Sequence, residues 1–190
     1  MAENNNASPA VVGLAGFGLT TLLLQIHNLG LCGIGPVLSM ALVFGGLAQL
    51  IAGFQEQKMN NSFGYCAFTG YGSFWIGLGI IWLLNNFKIY TLTEHDVGWY
   101  LIAWTLFTGI LLIGALRIHK AMTSTFALLF LGFILLDIGH FTEGHWDFAA
   151  GVVLVFCALS AWYMMAATIY KDLAGGRDIL PLGKPIIRKK

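Results

Sequence analysis

Residues 4–55 read NNNASPAVVGLAGFGLTTLLLQIHNLGLCGIGPVLSMALVFGGLAQLIAGFQ and contain no Asp, Glu, Lys or Arg. A helix that crosses a bilayer needs about 20 mostly apolar residues, so this run is too long for one span. The stretch 27–36 interrupts the run with glycines and a proline, a composition that is typical of a turn. The run therefore predicts two transmembrane helices, over residues 9–26 and 36–54.

The composition of the whole chain agrees with a membrane protein. Of its 190 residues, 57% are hydrophobic and 10% are charged, whereas soluble domains carry roughly 25% charged residues. This excludes a soluble enzyme and a disordered chain, and a net charge of +1 offers no basic surface to a nucleic-acid partner. The sequence has no metalloprotease, phosphate-loop or serine-hydrolase motif, so we expect neither an enzyme nor a cofactor.

Further runs with few or no charged residues are each long enough for one span. They predict helices over residues 67–84, 97–116, 122–138 and 146–170. We expect the first helix to start at Ser8, whose hydroxyl can cap it, with Pro9 at the first helical position. The predicted fold is an all-α integral membrane protein. Its six-helix domain covers 9–170, between an N-terminal tail over 1–8 and a basic cytoplasmic tail over 171–190.

The distribution of Lys and Arg predicts the orientation of the six helices. Nine of these residues fall on the side that holds both chain termini, and Lys88 alone falls on the other side. Positive residues accumulate on the cytoplasmic side of membrane proteins. We therefore expect both termini to be cytoplasmic, in a multi-pass protein of the cell membrane, that is, the plasma or inner membrane.

Polar side chains inside the apolar runs are candidates for lining a solute pathway. On the first helix, Phe17, Thr20 and Asn28 recur along one stripe. On the second helix, Gln49 lies deep within the span. An unpaired amide is costly in that position, so Gln49 must face either a hydrogen-bond partner or water.

Other hydroxyls and small residues have a structural interpretation beside the functional one. Thr69 and Ser73, near the start of the third helix, can line a pathway or form hydrogen bonds between helices. Glycine accounts for 24 of 190 residues, well above the average of about 7%. The first two helices carry more small residues than one six-helix bundle obviously needs. We therefore expect contacts of a homo-oligomer at these small faces: Gly13, Gly16, Gly45, Gly46 and Gly53.

Three ionisable residues are candidate proton-relay groups. Glu56 lies at the end of the second helix, and Asp137 and His140 lie one turn apart near the end of the fifth. Because histidine titrates near neutral pH, the latter two can also form a pH-responsive vestibule. The cysteines are far apart and lack ligand spacing, and we expect no metal site.

Five segments resemble those of the acetate uptake transporters, the succinate–acetate permeases. Residues 8–18, SPAVVGLAGFG, resemble the family's Asn-Pro-Ala-Pro-Leu-Gly-Leu signature, with Ser8 in place of Asn and Val11 in place of the second Pro. The other four are LQIHN at 24–28, FGGLAQLIAG at 44–53, FTGYGSFW at 68–75 and LSAWY at 159–163. The resemblance is strongest over residues 8–75.

The resemblance implies a six-helix protomer, a hexameric assembly and a separate pathway through each protomer. It implies acetate and also succinate as substrates, with the lipid bilayer and further copies of the chain as partners. It places an apolar constriction at Phe17, Tyr71 and Leu129, and it adds Ser160 and Ala161 to the pathway. A ring of apolar groups can close a pore by dewetting, while polar groups on either side replace hydration.

Two other functions stay open at the level of sequence. A neutral-solute channel of the urea or amide type is similar in its six-helix hexameric plan, and no Lys or Arg lies inside a predicted span to favour an anion. An acetate sensor without net flux is the other function, and the basic tail is its one supporting feature. Comparing the uptake of labelled acetate and labelled urea distinguishes the neutral-solute channel from a carboxylate pathway. Deletion of residues 172–190 tests the sensor, because a transporter keeps its flux whereas a tail-dependent sensor loses its output.

Overall fold

The computed structural model describes residues 7–188, so residues 1–6 and 189–190 of the two predicted tails lie outside it. Its helices are α1 (Ala10–Asn28), α2 (Ile34–Leu42), α3 (Gln49–Lys58), α4 (Ser62–Asn86), α5 (Glu94–Ala115), α6 (Lys120–Phe141) and α7 (Trp146–Leu173). A π-helical turn, Val43–Ala48, joins α2 to α3 in one span. The described chain has six helices that are long and apolar enough to cross a membrane. This confirms the predicted all-α fold with six spans.

Several helices extend beyond their predicted ends. α4 begins at Ser62, before the predicted residue 67, because the Asn61 side chain caps it by accepting a hydrogen bond from the Gly64 N–H (3.1 Å). α6 and α7 continue past residues 138 and 170, to Phe141 and Leu173. Local capping therefore lengthens α4 beyond its apolar run.

The start of α1 also differs from the prediction. The helix begins at Ala10, Pro9 occupies the N-cap position, and no side chain caps this end. Ser8 contributes its backbone carbonyl, which accepts a hydrogen bond from the Val11 N–H (3.2 Å). The predicted Ser8 hydroxyl cap is therefore corrected, since proline at the cap position shifts the helix start by one residue.

The π-helical turn lies where the second span packs closely on α1. A β-carbon at Gly16 of α1 would overlap the carbonyl oxygen of Phe44, which belongs to this turn. A β-carbon at Gly45 of the turn would overlap the Thr20 side chain. The two backbones thus approach one another closely, as small residues allow in membrane bundles.

The glycines expected at oligomer contacts pack inside the protomer instead. A β-carbon at Gly13 would lie 2.7 Å from the ring of Phe68, and one at Gly53 would lie 2.6 Å from Thr69. A β-carbon at Gly46 would likewise lie 2.7 Å from the Ile76 side chain of α4. The prediction that these small faces form oligomer contacts is therefore wrong, because packing within the bundle already occupies them.

The remaining helices surround a buried aromatic centre. α7 packs against α1 and α6, α5 packs against α6, and α3 packs against α4 and α1. The rings at the centre come from α1, α4 and α6: Phe17, Tyr71, Phe74, Trp75, Phe126 and Phe133. This centre positions the site described below.

The C-terminal tail returns to the bundle after α7. The Leu182 carbonyl accepts a hydrogen bond from the Ala121 N–H (3.0 Å), in the first turn of α6. The Ile186 N–H donates to the Leu116 carbonyl (3.0 Å), immediately after α5. The described part of the tail therefore holds the α5–α6 connection.

Candidate functional site

Two cavities enter the bundle from opposite ends. The distal cavity has a volume of about 320 Å³ and lies at the end away from the chain termini. Its walls are the C-terminal halves of α1, α4 and α6 and the N-terminal parts of α5 and α7. The proximal cavity has a volume of about 260 Å³, lies at the end that holds both termini, and is lined mainly by the N-terminal halves of α1, α4 and α6.

Phe17, Tyr71 and Leu129 line both cavities. They lie on α1, α4 and α6 and are 7%, 2% and 5% exposed. The ring centroids of Phe17 and Tyr71 are 5.7 Å apart, with the rings tilted by 59°. Carbon atoms in contact lie about 3.5–4 Å apart, so a methyl group does not fit between two rings at this separation. The three side chains that the resemblance indicates therefore separate the two cavities.

The Tyr71 side chain is held in place by α5. The Thr108 hydroxyl donates to the Trp104 carbonyl (2.7 Å), so its oxygen accepts the hydrogen bond from the Tyr71 hydroxyl (2.8 Å). The Tyr71 ring also contacts the rings of Phe107 and Trp104, with centroids 5.7 and 6.2 Å away. The phenol hydroxyl is thus engaged within the protein, and Thr108 is a supporting residue that the sequence did not single out.

Asn28 lines the distal cavity, as predicted for a pathway residue. Its Nδ2 donates to Oε1 of Gln25 (3.1 Å), and Nε2 of Gln25 donates to the Thr21 carbonyl (3.2 Å). Gln25 is 1% exposed. Its amide is therefore satisfied at both ends by neighbours on α1.

The two predicted relay groups of α6 lie in different surroundings. His140 lines the distal cavity, with Nδ1 2.9 Å from the Leu136 carbonyl and Nε2 3.7 Å from the Glu94 carboxylate. Because a carbonyl only accepts, Nδ1 is the nitrogen that carries the proton. Asp137 lies between α5 and α6, where it accepts a hydrogen bond from Thr105 (2.7 Å), and it lines neither cavity. Of these two groups, His140 has direct access to the distal cavity.

Gln49 and Glu56 lie at the proximal end of the bundle. Gln49 lines the proximal cavity and is 0% exposed. Neither of its amide atoms has a hydrogen-bond partner among residues 7–188. Glu56 is buried outside the cavity lining and accepts a hydrogen bond from Asn61 Nδ2 (2.6 Å). The Gln49 amide therefore lacks a hydrogen-bond partner within the described chain, whereas Glu56 is engaged by Asn61.

The other predicted pathway residues line neither cavity and have partners elsewhere in the bundle. They are Thr20, Thr69, Ser73, Ser160 and Ala161. Thr20 packs against Gly45 of the π-helical turn, and Ser160 hydrogen-bonds to the Thr125 hydroxyl (2.7 Å). Thr69 and Ser73 donate to the carbonyls of the preceding turn of α4. The structural interpretation fits these hydroxyls better than the functional one.

Two polar residues of the distal cavity were missed by the sequence reasoning. Thr21 and Trp75 line this cavity and are 3% and 2% exposed. In the described chain, neither the Thr21 Oγ1 nor the Trp75 Nε1 has a hydrogen-bond partner. Their signal in the sequence is the helical spacing, because each follows Phe17 or Tyr71 by four residues.

The electrostatics of the two cavities are set by few charges. In the part of the chain that the structure covers, no Lys or Arg lines either cavity. The ionisable groups of the distal cavity other than Tyr71 are His27, Glu94, His140 and Asp147. Within residues 7–188, no three His, Cys, Asp or Glu side chains are grouped to hold a metal ion. Among the described lining residues, histidine is therefore the one side-chain type that can carry a positive charge.

Comparison with known proteins places this geometry in a family of transporters. The GPR1/FUN34/yaaH family matches residues 1–174. The Escherichia coli (strain K12) succinate-acetate/proton symporter SatP is 36% identical over 190 residues, which cover 97% of this chain and 99% of that protein. The Saccharomyces cerevisiae ammonia transport outward protein 2 is 38% identical over 173 residues, which cover 86% of this chain and 61% of that protein.

A solved structure gives the same result. The structure of the bacterial acetate channel SatP matches with a TM-score of 0.90 and 36% identity, covering 94% of this chain and 100% of that one. The predicted resemblance to the acetate uptake transporters is thereby confirmed. The chain belongs to the GPR1/FUN34/yaaH family.

Proposed function

We propose that the protein is a membrane pathway for acetate, and also for succinate, in which solute passes within one protomer. The observation that carries the proposal is that the distal and proximal cavities end on the same side chains, those of Phe17, Tyr71 and Leu129. The similarity to a succinate-acetate/proton symporter and to an acetate channel supports the choice of substrate.

The chemistry of the cavities suits a small carboxylate with an apolar half. An apolar constriction excludes water when it is closed, and polar groups on either side replace the solute's hydration. The Asn28 side chain lies on the distal side and the Gln49 amide on the proximal side. With no Lys or Arg in the lining described, neutral donors hold the anion weakly enough for release.

For proton coupling, we assign the leading role to His140 among the predicted relay groups. It lines the distal cavity, with Nε2 3.7 Å from the Glu94 carboxylate. Asp137 and Glu56 lie behind the cavity walls, each with a hydrogen-bond donor of its own. These two act only indirectly on a solute, through the structure that surrounds them.

The membrane arrangement is part of the same proposal. Both termini lie in the cytoplasm, because nine of ten Lys and Arg residues fall on that side, and the protein is placed in the cell membrane. We propose a homo-hexamer, the number coming from the resemblance alone. Exposed apolar residues on one face of the second span supply a surface for lipid or for another protomer: Val43, Leu47, Ile51 and Phe54.

A neutral-solute channel is the second candidate function. Two observations favour it: the similarity to a protein named for outward ammonia transport, and the lack of Lys and Arg in the described cavity linings. An acetate sensor without flux is a weaker alternative. The basic tail that suggested it packs on the α5–α6 connection, so its deletion tests stability as well as signalling.

The deciding experiment is uptake by purified protein in liposomes. Labelled acetate and labelled urea are compared at alkaline pH, where little of the membrane-permeant acid is present, and protein-free vesicles are subtracted. We expect saturable acetate uptake that unlabelled succinate inhibits, with urea at the background rate. Faster urea uptake than acetate uptake would refute the carboxylate proposal. Repeating the assay with an inward proton gradient distinguishes a symporter, whose rate rises, from a channel.

A further inference from the structure

We propose that Thr21 and Trp75 form a carboxylate-binding subsite in the distal cavity, one helical turn beyond Phe17 and Tyr71. This inference rests on the proposed acetate pathway and identifies where the anion is held before it reaches the constriction. The hydroxyl of Thr21 and the indole N–H of Trp75 are the two donors. Neither has a partner among the described residues.

The Thr21 hydroxyl is an exception among the threonines of the spans. Thr69, Thr108 and Thr125 each donate to the carbonyl four residues earlier, as hydroxyls in helices commonly do. Thr21 makes no such bond, although it is 3% exposed. A buried hydroxyl without a partner costs free energy, so a ligand that supplies the missing acceptor is favoured at this position.

The indole of Trp75 shows the same deficiency. Trp75 is 2% exposed and its Nε1 has no acceptor within residues 7–188. On α7, by contrast, the Trp162 Nε1 donates to the Ala15 carbonyl (3.4 Å). An indole N–H only donates, so the ligand opposite Trp75 must offer an acceptor.

The two donors lie at the same level of the bundle. Thr21 follows Phe17 by four residues on α1, and Trp75 follows Tyr71 by four residues on α4. Both helices run from the proximal to the distal end, so each step moves about 6 Å in the same direction. The rings of Phe17 and Tyr71 are 5.7 Å apart, and Thr21 and Trp75 both line the distal cavity one helical turn beyond these rings.

A carboxylate is the ligand whose chemistry fits this pair. Its two oxygens accept one hydrogen bond each, and its apolar end can contact the Phe17 and Leu129 side chains that also line this cavity. The nearby Gln25 amide is not available, because both of its ends are bonded to neighbours on α1. Thr21 and Trp75 are 3% and 2% exposed, so binding at this subsite requires neighbouring side chains to rotate away from the two donors.

The test measures transport and binding on the same purified proteins. Thr21→Val removes one donor and keeps the shape of the side chain, and Trp75→Phe removes the other donor while keeping an aromatic ring. In liposomes, we expect each to raise the KM for acetate about tenfold with a maximal rate within about twofold of the wild type. Thr21→Ser retains the hydroxyl and is expected to keep the wild-type KM. Thr168→Val is the matched control, since Thr168 lines neither cavity and its hydroxyl donates to the Met164 carbonyl on the same helix.

Binding is followed by the rise in Tm that sodium acetate produces in detergent, with sodium chloride as the salt control. We expect Thr21→Val and Trp75→Phe to reduce this rise and Thr168→Val to preserve it. Wild-type transport with unchanged KM and Tm response in both variants overturns the subsite and leaves the acetate pathway intact. Acetate binding that depends on Thr21 and Trp75, without any wild-type flux, refutes the pathway and supports the subsite. If one variant fails to fold, the other decides.

Discussion

Replacement of Phe17 by Ala is expected to change the size selectivity of the pathway. The centroids of the Phe17 and Tyr71 rings are 5.7 Å apart, whereas a methyl group between two ring faces needs at least about 7 Å at ordinary carbon–carbon contact. Passage therefore requires the rings to move apart, and a larger carboxylate requires a larger movement. One additional group in a tight pocket is discriminated by about 1–3 kcal/mol. Phe17→Ala should thus raise the lactate-to-acetate flux ratio about tenfold or more.

The measurement is the initial uptake of labelled lactate and labelled acetate by the same liposome preparation. Phe156→Ala is the matched control, because Phe156 lines neither cavity and is 58% exposed on the outer face of α7. It should leave the ratio unchanged. An unchanged ratio in a folded Phe17→Ala protein would show that Phe17 is a packing residue, and the reasoning from ring separation would then be refuted.

Three further predictions concern separate parts of the molecule. Gln49→Leu should lower acetate flux without lowering Tm, because the lost amide has no partner in the described chain. A lower Tm with normal flux would instead place the amide in an interhelical hydrogen bond. Such a bond contributes about 0.6 kcal/mol in membranes. Gly72→Ala should destabilise the protein by about 1–3 kcal/mol, since a β-carbon would lie 2.7 Å from the Leu50 backbone nitrogen. Its control is Gly35→Ala, inside α2, where a β-carbon meets nothing within 4 Å; this variant should not lower Tm in detergent. Burial lowers the pKa of His119 below its ordinary value, and its neutral ring caps α6. The stabilisation from this neutral cap is therefore complete above the unfolded-state pKa of His119 and is lost as the pH falls below that value and through the lower folded-state pKa, at a cost of about 1 kcal/mol. Melting curves between about pH 8 and pH 5 should show a smaller loss of Tm for His119→Asn, which keeps an acceptor without titrating, and equal losses would contradict this role.

Much of the fold was predictable because bilayer crossing leaves a strong mark on sequence. The charge-free run 4–55 and its Gly-Pro interruption indicate the first two spans without any tertiary information. The π-helical turn over Val43–Ala48 was not predictable in this way. Its backbone packs against Gly16 of α1, and a contact between two helices cannot be inferred from the local sequence of either one. The glycine faces were misassigned for the same reason, since glycine frequency does not say which neighbour a helix approaches.

The site was predictable in part, and the errors have a physical cause. Phe17 and Tyr71 follow from segments that resemble the family, and Leu129 follows from the same resemblance. Thr20 was chosen over Thr21, although one helical step of about 100° decides which hydroxyl faces the cavity. Both sides of α1 are apolar, so the pattern of hydrophobic residues does not orient the helix, and only the packing of neighbouring helices does.

The most direct test of the central claim closes the pathway reversibly at the constriction. Leu129→Cys is placed in a background without Cys32, Cys66 and Cys157, which are the cysteines of the chain. A bulky methanethiosulfonate reagent then modifies the introduced thiol, and mass spectrometry verifies complete reaction. Labelled acetate uptake is measured in one liposome preparation before modification, after it, and after reduction. We expect modification to lower uptake to the protein-free rate and reduction to restore it. Uptake that continues at the full rate after complete modification would contradict a pathway past Leu129.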